Sequence, residues 1–496
     1  MAELIFPRDR NHGKALARQA RRGKVRRVRQ GLYTDAPEAG IPGLVRRCWY
    51  KLAEHFCSQP LAAYRTAVEL KPHRGRVYVI DRVKHRRYIK VGDWLTIDVI
   101  PGNTSLLTEP FMPELTRSAL PRQLLENLVP SRAREAGHKS LGSDWVEEAL
   151  CKVLAQRGEG AIREIRKQAR EAASALGLEK PFSQLDRMIG ALLASRPAQG
   201  NLSSPLAIAT ARKDPYDPER LVLFRALADY LERCRFEPVP YAYNKSSWRN
   251  LSFFESYFSN YIEGTEFDIS EAEKIVFEKH VVNSRPEDSH DVLAVYDIVH
   301  DYQEMLDTPK NAAELIRLLQ DRHERMMSQR PDKRPGGFKT KPNKAGDTLF
   351  VSPRNLPGTI TRGFKIYEDL AKGMRRAIFI HFLITECHPF DDGNGRLSRI
   401  FLNAELSTGE QFKLIVPTVH RDSYLNGLRQ ATREGKFRTL VKVLFQLQQY
   451  TASLNWTDYG DVREQLETHQ AHLLPDEGVA AFNRQIVNFK MELPTS

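Results

Sequence analysis

Cysteine is scarce and badly placed for cross-linking. The five cysteines, Cys48, Cys57, Cys151, Cys234 and Cys387, are odd in number, scattered, and never spaced as C-x-x-C. That pattern argues against a disulfide framework or a structural zinc site. Long apolar runs are missing too: none approaches the ~20 residues a bilayer-crossing helix needs, so no membrane is expected among the partners. The opening residues, Met1-Ala2-Glu3-Leu4-Ile5-Phe6, lack a charged-then-apolar leader, and a cytoplasmic location is expected. Neither an internal repeat nor a long low-complexity tract is present.

What is there reads as globular. Apolar residues make up 41% of the 496 and charged residues 28%, values of folded proteins rather than disordered chains. A chain of this length is too long for one ordinary core, so several domains are expected. The net charge is +13. Residues 1–100 alone hold 22 Lys and Arg against 9 Asp and Glu, an excess equal to that of the whole chain. The basic character therefore belongs to the N-terminal part, and everything after it is close to neutral.

The densest basic stretch runs from Lys14 to Arg29. Ala15, Leu16, Ala17 and Ala20 suit a helix ending at Gly23. Val25, Val28, Leu32 and Tyr33 then suit a short hairpin carrying Arg26, Arg27 and Arg29 outward. Such a helix and wing offer a phosphate-backbone surface, and residues 14–29 are a candidate DNA contact. A plain solvated basic face fits the same residues equally well. Further strands are expected at 76–80, 88–91 and 95–100, making residues 1–110 a small α+β unit. Helical patterns follow through 116–195. Breaker-rich sequence over 196–218 reads as a linker, a largely helical region covers 219–455, and extra helices are expected in a tail over 456–496.

The chemistry concentrates after a strongly apolar helix expected over 372–385. The chain there reads His388-Pro389-Phe390-Asp391-Asp392-Gly393-Asn394-Gly395-Arg396-Leu397-Ser398-Arg399, and a second helix resumes. Gly393 and Gly395 allow backbone conformations that let N–H groups approach a ligand closely. Those donors stand at a helix start, where unpaired N–H groups and the helix dipole favour anions. Arg396 and Arg399 lie about one turn apart, and Asp392 offers one carboxylate of the kind that holds Mg²⁺ beside phosphates. His388 is the proton acceptor available at neutral pH. His381 and His323 read best as buried, hydrogen-bonded histidines rather than catalytic ones.

Taken together these residues resemble the Fic motif H-P-F-x-D/E-G-N-G-R-x-x-R, without departure at any position. The resemblance implies a mainly α fold, a helical Fic core with a small β-hairpin flap. It implies AMP transfer from ATP to a Ser, Thr or Tyr hydroxyl of a target protein, with Mg²⁺ as cofactor. It would make His388 the base and Asp392 the metal ligand. Gly393, Asn394 and Gly395 would form the anion hole, and Arg396 and Arg399 would hold the outer phosphates. Asn403 and Tyr424 fall where relatives shape the adenine pocket. Upstream, Ser259-Asn260-Tyr261-Ile262-Glu263-Gly264 resembles the family's inhibitory motif S/T-x-x-x-E-G/N, implying that Glu263 pairs with Arg399; read alone, it is a helix end at Gly264.

Residues 334–339 and 347–352 suggest the hairpin, with Leu349, Phe350 and Val351 as candidates for docking a target strand. A purely structural hairpin is an equal expectation. The N-terminal part resembles the winged-helix region of abortive-infection antitoxin-like proteins, through Ala20-Arg21-Arg22-Gly23, Arg29-Gln30-Gly31-Leu32-Tyr33 and Arg65-Thr66-Ala67. That leaves a second functional class open: a DNA-binding regulator or toxin–antitoxin-like module whose nucleotide domain uses another nucleotide or only senses it. A second copy of the chain is counted among the candidate partners.

Overall fold

The computed structural model describes residues 2–113, 115–131, 137–486, 489 and 493–494. The chain divides into two compact units, Met1–Lys213 and Asp214–Ser496. It is mainly helical, with a mixed β region confined to the first unit and a two-stranded hairpin in the second.

The first unit begins with the helix Arg10–Arg21, started by the Asp9 side chain accepting from the His12 N–H. Strands Arg26–Arg29 and Leu32–Thr34 follow, and Leu4–Ile5 completes a three-stranded antiparallel sheet. This is the helix and hairpin expected from the basic stretch, except that Arg29 turns in from the wing, its guanidinium 4.9 Å from the Phe56 ring centre. Lys14, Arg18, Arg21, Arg22, Lys24, Arg26 and Arg27 are all exposed on it.

A six-stranded sheet comes next, in the order Arg87–Val91, Leu95–Pro101, Arg76–Asp81, Leu61–Ala62, Leu115–Ser118, Thr108–Met112. Alternation buries Val77, Val79, Ile89, Val91, Ile97 and Val99 on one face, against Trp49, Leu52 and Ala53 of the helix Trp49–Phe56. A boundary at 110 cuts the Thr108–Met112/Leu115–Ser118 hairpin, so the β region runs on to Ser118. Three of the six strands escaped the sequence reading because they are short or sit at an edge with little alternation. Helices Leu120–Asn127, Ser143–Leu176 (broken at Gly158, φ 75°) and Glu179–Leu192 follow. The breaker-rich 196–218 stretch is not all linker: Pro205–Ala211 is a helix, capped by Ser204 accepting from the Ala207 N–H.

The second unit is built around two consecutive helices, Met374–Cys387 and Asn394–Thr408, whose side chains are almost wholly buried. Helices Pro218–Arg233, Lys245–Ile262, Pro286–His300, Ala312–Met326, Leu356–Glu368, Arg421–Glu434 and Arg438–Ser453 belong to the same unit. Their aromatic residues, Trp248, Phe253, Phe254, Phe258, Phe379 and Phe382 among them, are buried in one apolar core. Each contributes roughly 1.5–3 kcal/mol by leaving water. Helix starts carry Pro218 and Pro286, where a missing N–H costs nothing, or side-chain caps such as Asn244 and Asn311. In the tail, Tyr459–Thr468 and Pro475–Ile486 are helical, and Val462, Leu466 and Phe482 join the core. The end of the second tail helix expected from sequence lies outside the described residues. Among the described residues no helix is long and apolar enough to cross a membrane.

Candidate active site

Residues 388–393 form the turn between the two central helices. His388 ends the first in the left-handed region (φ 46°, ψ 60°), and Gly393 (φ 73°) opens the second. A side chain at 393 would be strained by that φ and would also strike Met326 at 2.7 Å. Asn394 ties the turn from inside. Its Oδ1 accepts from the Phe390 N–H at 2.9 Å, and its Nδ2 donates to the Phe390 carbonyl at 2.9 Å.

The carbonyls of the turn are held from outside by a segment, 339–343, whose first residue the sequence reading places in a hairpin arm. The Lys339 ammonium, buried at 2% exposure, donates to the Cys387 carbonyl at 3.1 Å and to Asn343 Oδ1 at 2.7 Å. The Lys339 N–H donates to the Pro389 carbonyl at 2.8 Å. Asn343 Nδ2 donates to the His388 and Phe390 carbonyls at 3.3 and 3.0 Å. A lysine in a polar, proline- and glycine-rich stretch looks solvated on paper; nothing local marks it as buried.

His323 completes the cradle. Its Nδ1 accepts from the Gly336 N–H at 3.0 Å, which leaves the proton on Nε2 to donate to the Asp392 carbonyl at 3.2 Å. Its ring stacks on Phe390 with centroids 3.7 Å apart. Burial pushes its pKa down to about 4. His381 is likewise a buried structural histidine, 3.1 Å from the Tyr424 hydroxyl, with its pKa pushed down to about 3 by burial and then by Arg399.

At His388, Nδ1 lies 3.3 Å from the Thr385 carbonyl. That contact suits a proton on Nδ1 and leaves Nε2 as the free, basic nitrogen. Burial, then the nearby Lys339 charge, holds its pKa down at about 4. The ring is stacked face to face on Phe350, centroids 3.9 Å apart and planes at 4°. Asp392 Oδ1 accepts from the Gly393 N–H at 2.7 Å. The neighbouring Asp391 is committed elsewhere, to both nitrogens of an Arg334 fork at 2.9 and 2.8 Å.

The two motif arginines do different things. Arg399 Nε donates to Ser259 Oγ at 2.9 Å; its Nη2 donates to the Ser259 carbonyl at 2.8 Å and to Glu263 Oε1 at 2.7 Å. Glu263 also lies against the start of the second central helix. A Cβ on Gly395 would fall 2.1 Å from its Oε1, so only glycine leaves room for that carboxylate. Gly264 follows at φ 93°, ending the Lys245–Ile262 helix. Arg396, expected to hold outer phosphates, instead forms a buried ion pair with Asp291 at 2.7 Å and reaches Asn260 at 3.3 Å. Asp291 is shared with Arg330 at 2.9 Å.

Other expected positions shift as well. The hairpin pairs Lys344–Ala345 with Thr348–Leu349, so 334–339 is not its first arm; that stretch is the cradle. Its second arm is tied down by Arg220, which donates to the Leu349 carbonyl at 2.7 Å and pairs with buried Glu386 at 2.9 Å. Arg433 donates to Thr348 Oγ1 at 3.0 Å. Of the three docking candidates, Leu349 is exposed at 49%, Phe350 covers His388, and Val351 is fully buried and offers a partner no surface. Asn403 and Tyr424 are each about 1% exposed. Asn403 spends its amide on the Leu414 backbone in both directions, at 2.9 Å. Asn403 lines a small cavity beside Arg399, with Ser259, Leu402 and Leu414, and the Tyr424 ring lies 6.0 Å from the Arg399 guanidinium.

A helix–turn–helix of this composition sets a histidine before an anion-favouring helix start. In comparison with known proteins, residues 313–406 match the Fic/DOC family model, and the chain contains a Fic/DOC family domain. It is 26% identical over 202 residues to the protein adenylyltransferase Fic of Culex quinquefasciatus, 40% of each chain. It is 24% identical over 228 residues to the protein of the same name in Drosophila willistoni, 43% of each. The chain thus spans less than half the length of the curated relatives it matches. Among solved structures, it is similar to Fic-1 (aa134–508) of C. elegans, with TM-score 0.35 and 16% identity over 66% of this chain and 95% of that one. A Fic domain containing signaling protein of Bacteroides thetaiotaomicron gives TM-score 0.36 and 16% identity, over 47% and 95%.

Proposed function

We propose that the chain is a Mg²⁺-dependent protein adenylyltransferase, transferring AMP from ATP to a Ser, Thr or Tyr hydroxyl of a target protein, and that Glu263 represses it. The observation that carries this reading is the joint geometry of the site. A base-ready His388 stands at the turn, while Arg399 is taken by Ser259 and Glu263. The similarity to proteins named protein adenylyltransferase supports the same reaction.

In the proposed reaction His388 Nε2 takes the proton of the target hydroxyl as its oxygen attacks the α-phosphorus. The bond to pyrophosphate breaks, and pyrophosphate leaves with the electron pair. No enzyme-bound intermediate is required, so positioning and charge do most of the work. The N–H groups at Asn394 and Gly395 receive phosphate oxygens, with the helix dipole behind them. Arg399, once freed, orients the γ-phosphate through its fork.

Asp392 fits a Mg²⁺ site completed by substrate. One of its oxygens is held by the Gly393 N–H, which aims the carboxylate. Among the described residues no group of three or more His, Cys, Asp or Glu could hold a metal by itself. That suits an ion bound through one carboxylate plus phosphates and water. When bound, Mg²⁺ supplies neutralisation of phosphate charge.

The brake works by occupancy. With Glu263 on Arg399 and against Gly395, a γ-phosphate loses its arginine and meets a carboxylate instead, leaving the α-phosphate poorly placed for in-line attack. The test is to incubate Glu263→Gly and wild type with labelled ATP, UTP, GTP or CTP in lysate, beside Glu263→Gly/His388→Ala. Labelling from ATP that rises in the first and vanishes in the last is expected. No gain on releasing Glu263 would sink the brake, and labelling that survives loss of His388 would sink the chemistry.

A second role is favoured by the seven exposed basic side chains of the N-terminal helix and hairpin. We propose that they contact duplex DNA through phosphates. Retardation of a duplex by the full chain that weakens steeply with salt is expected; equal retardation by Arg21→Ala/Arg22→Ala/Arg26→Ala/Arg27→Ala rules that surface out.

A further inference from the structure

The face of the six-stranded sheet opposite its apolar core carries a feature that the AMP-transfer reading does not use. Strands Arg76–Asp81, Leu95–Pro101 and Arg87–Val91 pair so that Arg76, Thr96 and Lys90 form one cross-strand row. Tyr78, Asp98 and Tyr88 form the next. Period-two alternation puts both rows on one side, opposite buried Val77, Ile97 and Ile89. A cavity of about 570 Å³ opens over this face, lined also by Arg86, Pro130, Ser131 and Lys139. That volume suits one nucleotide-sized ligand.

The charges are organised. Asp98 is fully buried and is gripped by Arg86 through both oxygens, at 2.8 and 2.7 Å, with Arg76 at 3.3 Å. Its one negative charge is thus spent on fixing two guanidinium forks. Both guanidiniums lie 5.4 Å from the Tyr88 ring centre, and that ring is 54% exposed. Lys139 is anchored by its main chain: its carbonyl accepts from the Arg65 N–H at 2.9 Å and its N–H donates to Ser131 Oγ at 3.1 Å. Its ammonium stands 4.5 Å over Tyr64. Among the described residues neither Lys90 nor Lys139 pairs with a carboxylate. Four cations and one carboxylate line the cavity. Burial, then Arg86, holds the Lys139 pKa below the usual lysine range, with Asp98 and Glu126 acting against them.

We propose that this face is a second nucleotide site, holding a phosphate among Lys90, Lys139 and the arginines with its base against Tyr88. An exposed aromatic ring set in fixed cations on a sheet face is the arrangement by which single nucleotides are stacked and their phosphates neutralised. The same chemistry is offered by a free mononucleotide and by the 5′-terminal nucleotide of a single strand.

Isothermal titration of the full-length chain tests the site with three probes: AMP, a 5′-phosphorylated single-stranded tetranucleotide, and inorganic phosphate. Lys90→Glu/Lys139→Gln is expected to weaken the nucleotide probes by about tenfold or more. Tyr88→Ala is expected to weaken them about fivefold or more while leaving inorganic phosphate within about twofold, because it removes the base contact while Asp98 still holds both guanidiniums. Lys90→Glu alone, at an exposed position, guards against loss of folding and should keep part of the effect. Tighter binding of the tetranucleotide than of AMP assigns the ligand to a strand, and the reverse to a free nucleotide. Unchanged affinities in the double variant, or no binding of any probe to wild type, overturn the proposal. ATP labelling by Glu263→Gly reads the other unit, so failure of one reading leaves the other standing.

Discussion

His388 is kept neutral by the surroundings that position it. Burial disfavours the imidazolium, and the Lys339 ammonium adds repulsion, so its pKa falls to about 4. The neutral base is therefore fully populated down to about pH 5 and is lost only as pH falls through 4. Labelling by the Glu263→Gly protein should show no acid limb near 6.5; a rate that halves near that pH would contradict this environment. The cradle residues act at the same scale. Lys339→Met leaves the Cys387 carbonyl without its donor in a buried place and removes a partner of Asn343. We expect a loss of about 1–3 kcal/mol in stability, read by urea unfolding, and slower labelling through a loosened turn. Asn343→Ala should behave alike, because it removes the Asn343 donor from the His388 carbonyl and one of two donors from that of Phe390.

The Lys245–Ile262 helix meets the two motif arginines at two different places, and they should separate experimentally. Ser259 and Glu263 hold Arg399 at the end of the helix, where the Glu263 side chain is about one-third exposed. Asn260 and Asp291 hold Arg396 in the interior, where both members of the ion pair are nearly fully buried. Ser259→Ala should raise ATP labelling and cost about 1–3 kcal/mol in stability, since it leaves the buried Arg399 Nε–H without its acceptor. Asp291→Ala should destabilise by about 3–5 kcal/mol, because it strands a buried guanidinium; equal and small losses in both variants would mean that the Arg396 pair is not a structural clamp. The hairpin adds a third element-scale contact. Phe350 lies flat on the His388 ring, so Phe350→Ala should expose His388 and bring the acid limb of labelling up toward 6.5.

Across the whole second unit, four buried histidines share one consequence. His323, His388 and His420 have pKa values pushed down to about 4 by burial, and His381 to about 3. Unfolded, each returns to about 6.5. Between these limits the unfolded chain binds more protons, so stability rises with pH. It is complete above pH 6.5 and drains as pH falls toward 4. Thermal unfolding followed from pH 7.5 to 4.5 should show a falling midpoint that begins near 6.5; a flat profile over that range would contradict burial of the four rings.

The motif was legible because its chemistry is contiguous. From His388 to Arg399 the turn, the anion-favouring helix start, the base and the carboxylate are neighbours in the chain, and local physics alone assembles them. Glu263 was legible only through resemblance, since 136 residues separate it from Arg399. The strands with clear alternation were legible, and the short edge strands, which draw their pairing from neighbours, were not. Lys339 and Asn343 became supports only through packing: burial turned polar side chains of unremarkable sequence into hydrogen-bond partners for the turn. His323 was legible as a buried, hydrogen-bonded histidine, but its partner at the turn was not, and neither was the pairing of Asp291 with Arg396. The same burial removed Val351 from the docking surface where its position had put it. Sequence by itself determined which groups stand together at the catalytic turn, because neighbours in the chain stay neighbours. Tertiary structure decided which charges face one another, how two similar arginines divide between clamp and brake, and which side chains reach solvent, because those depend on contacts the chain makes only when folded.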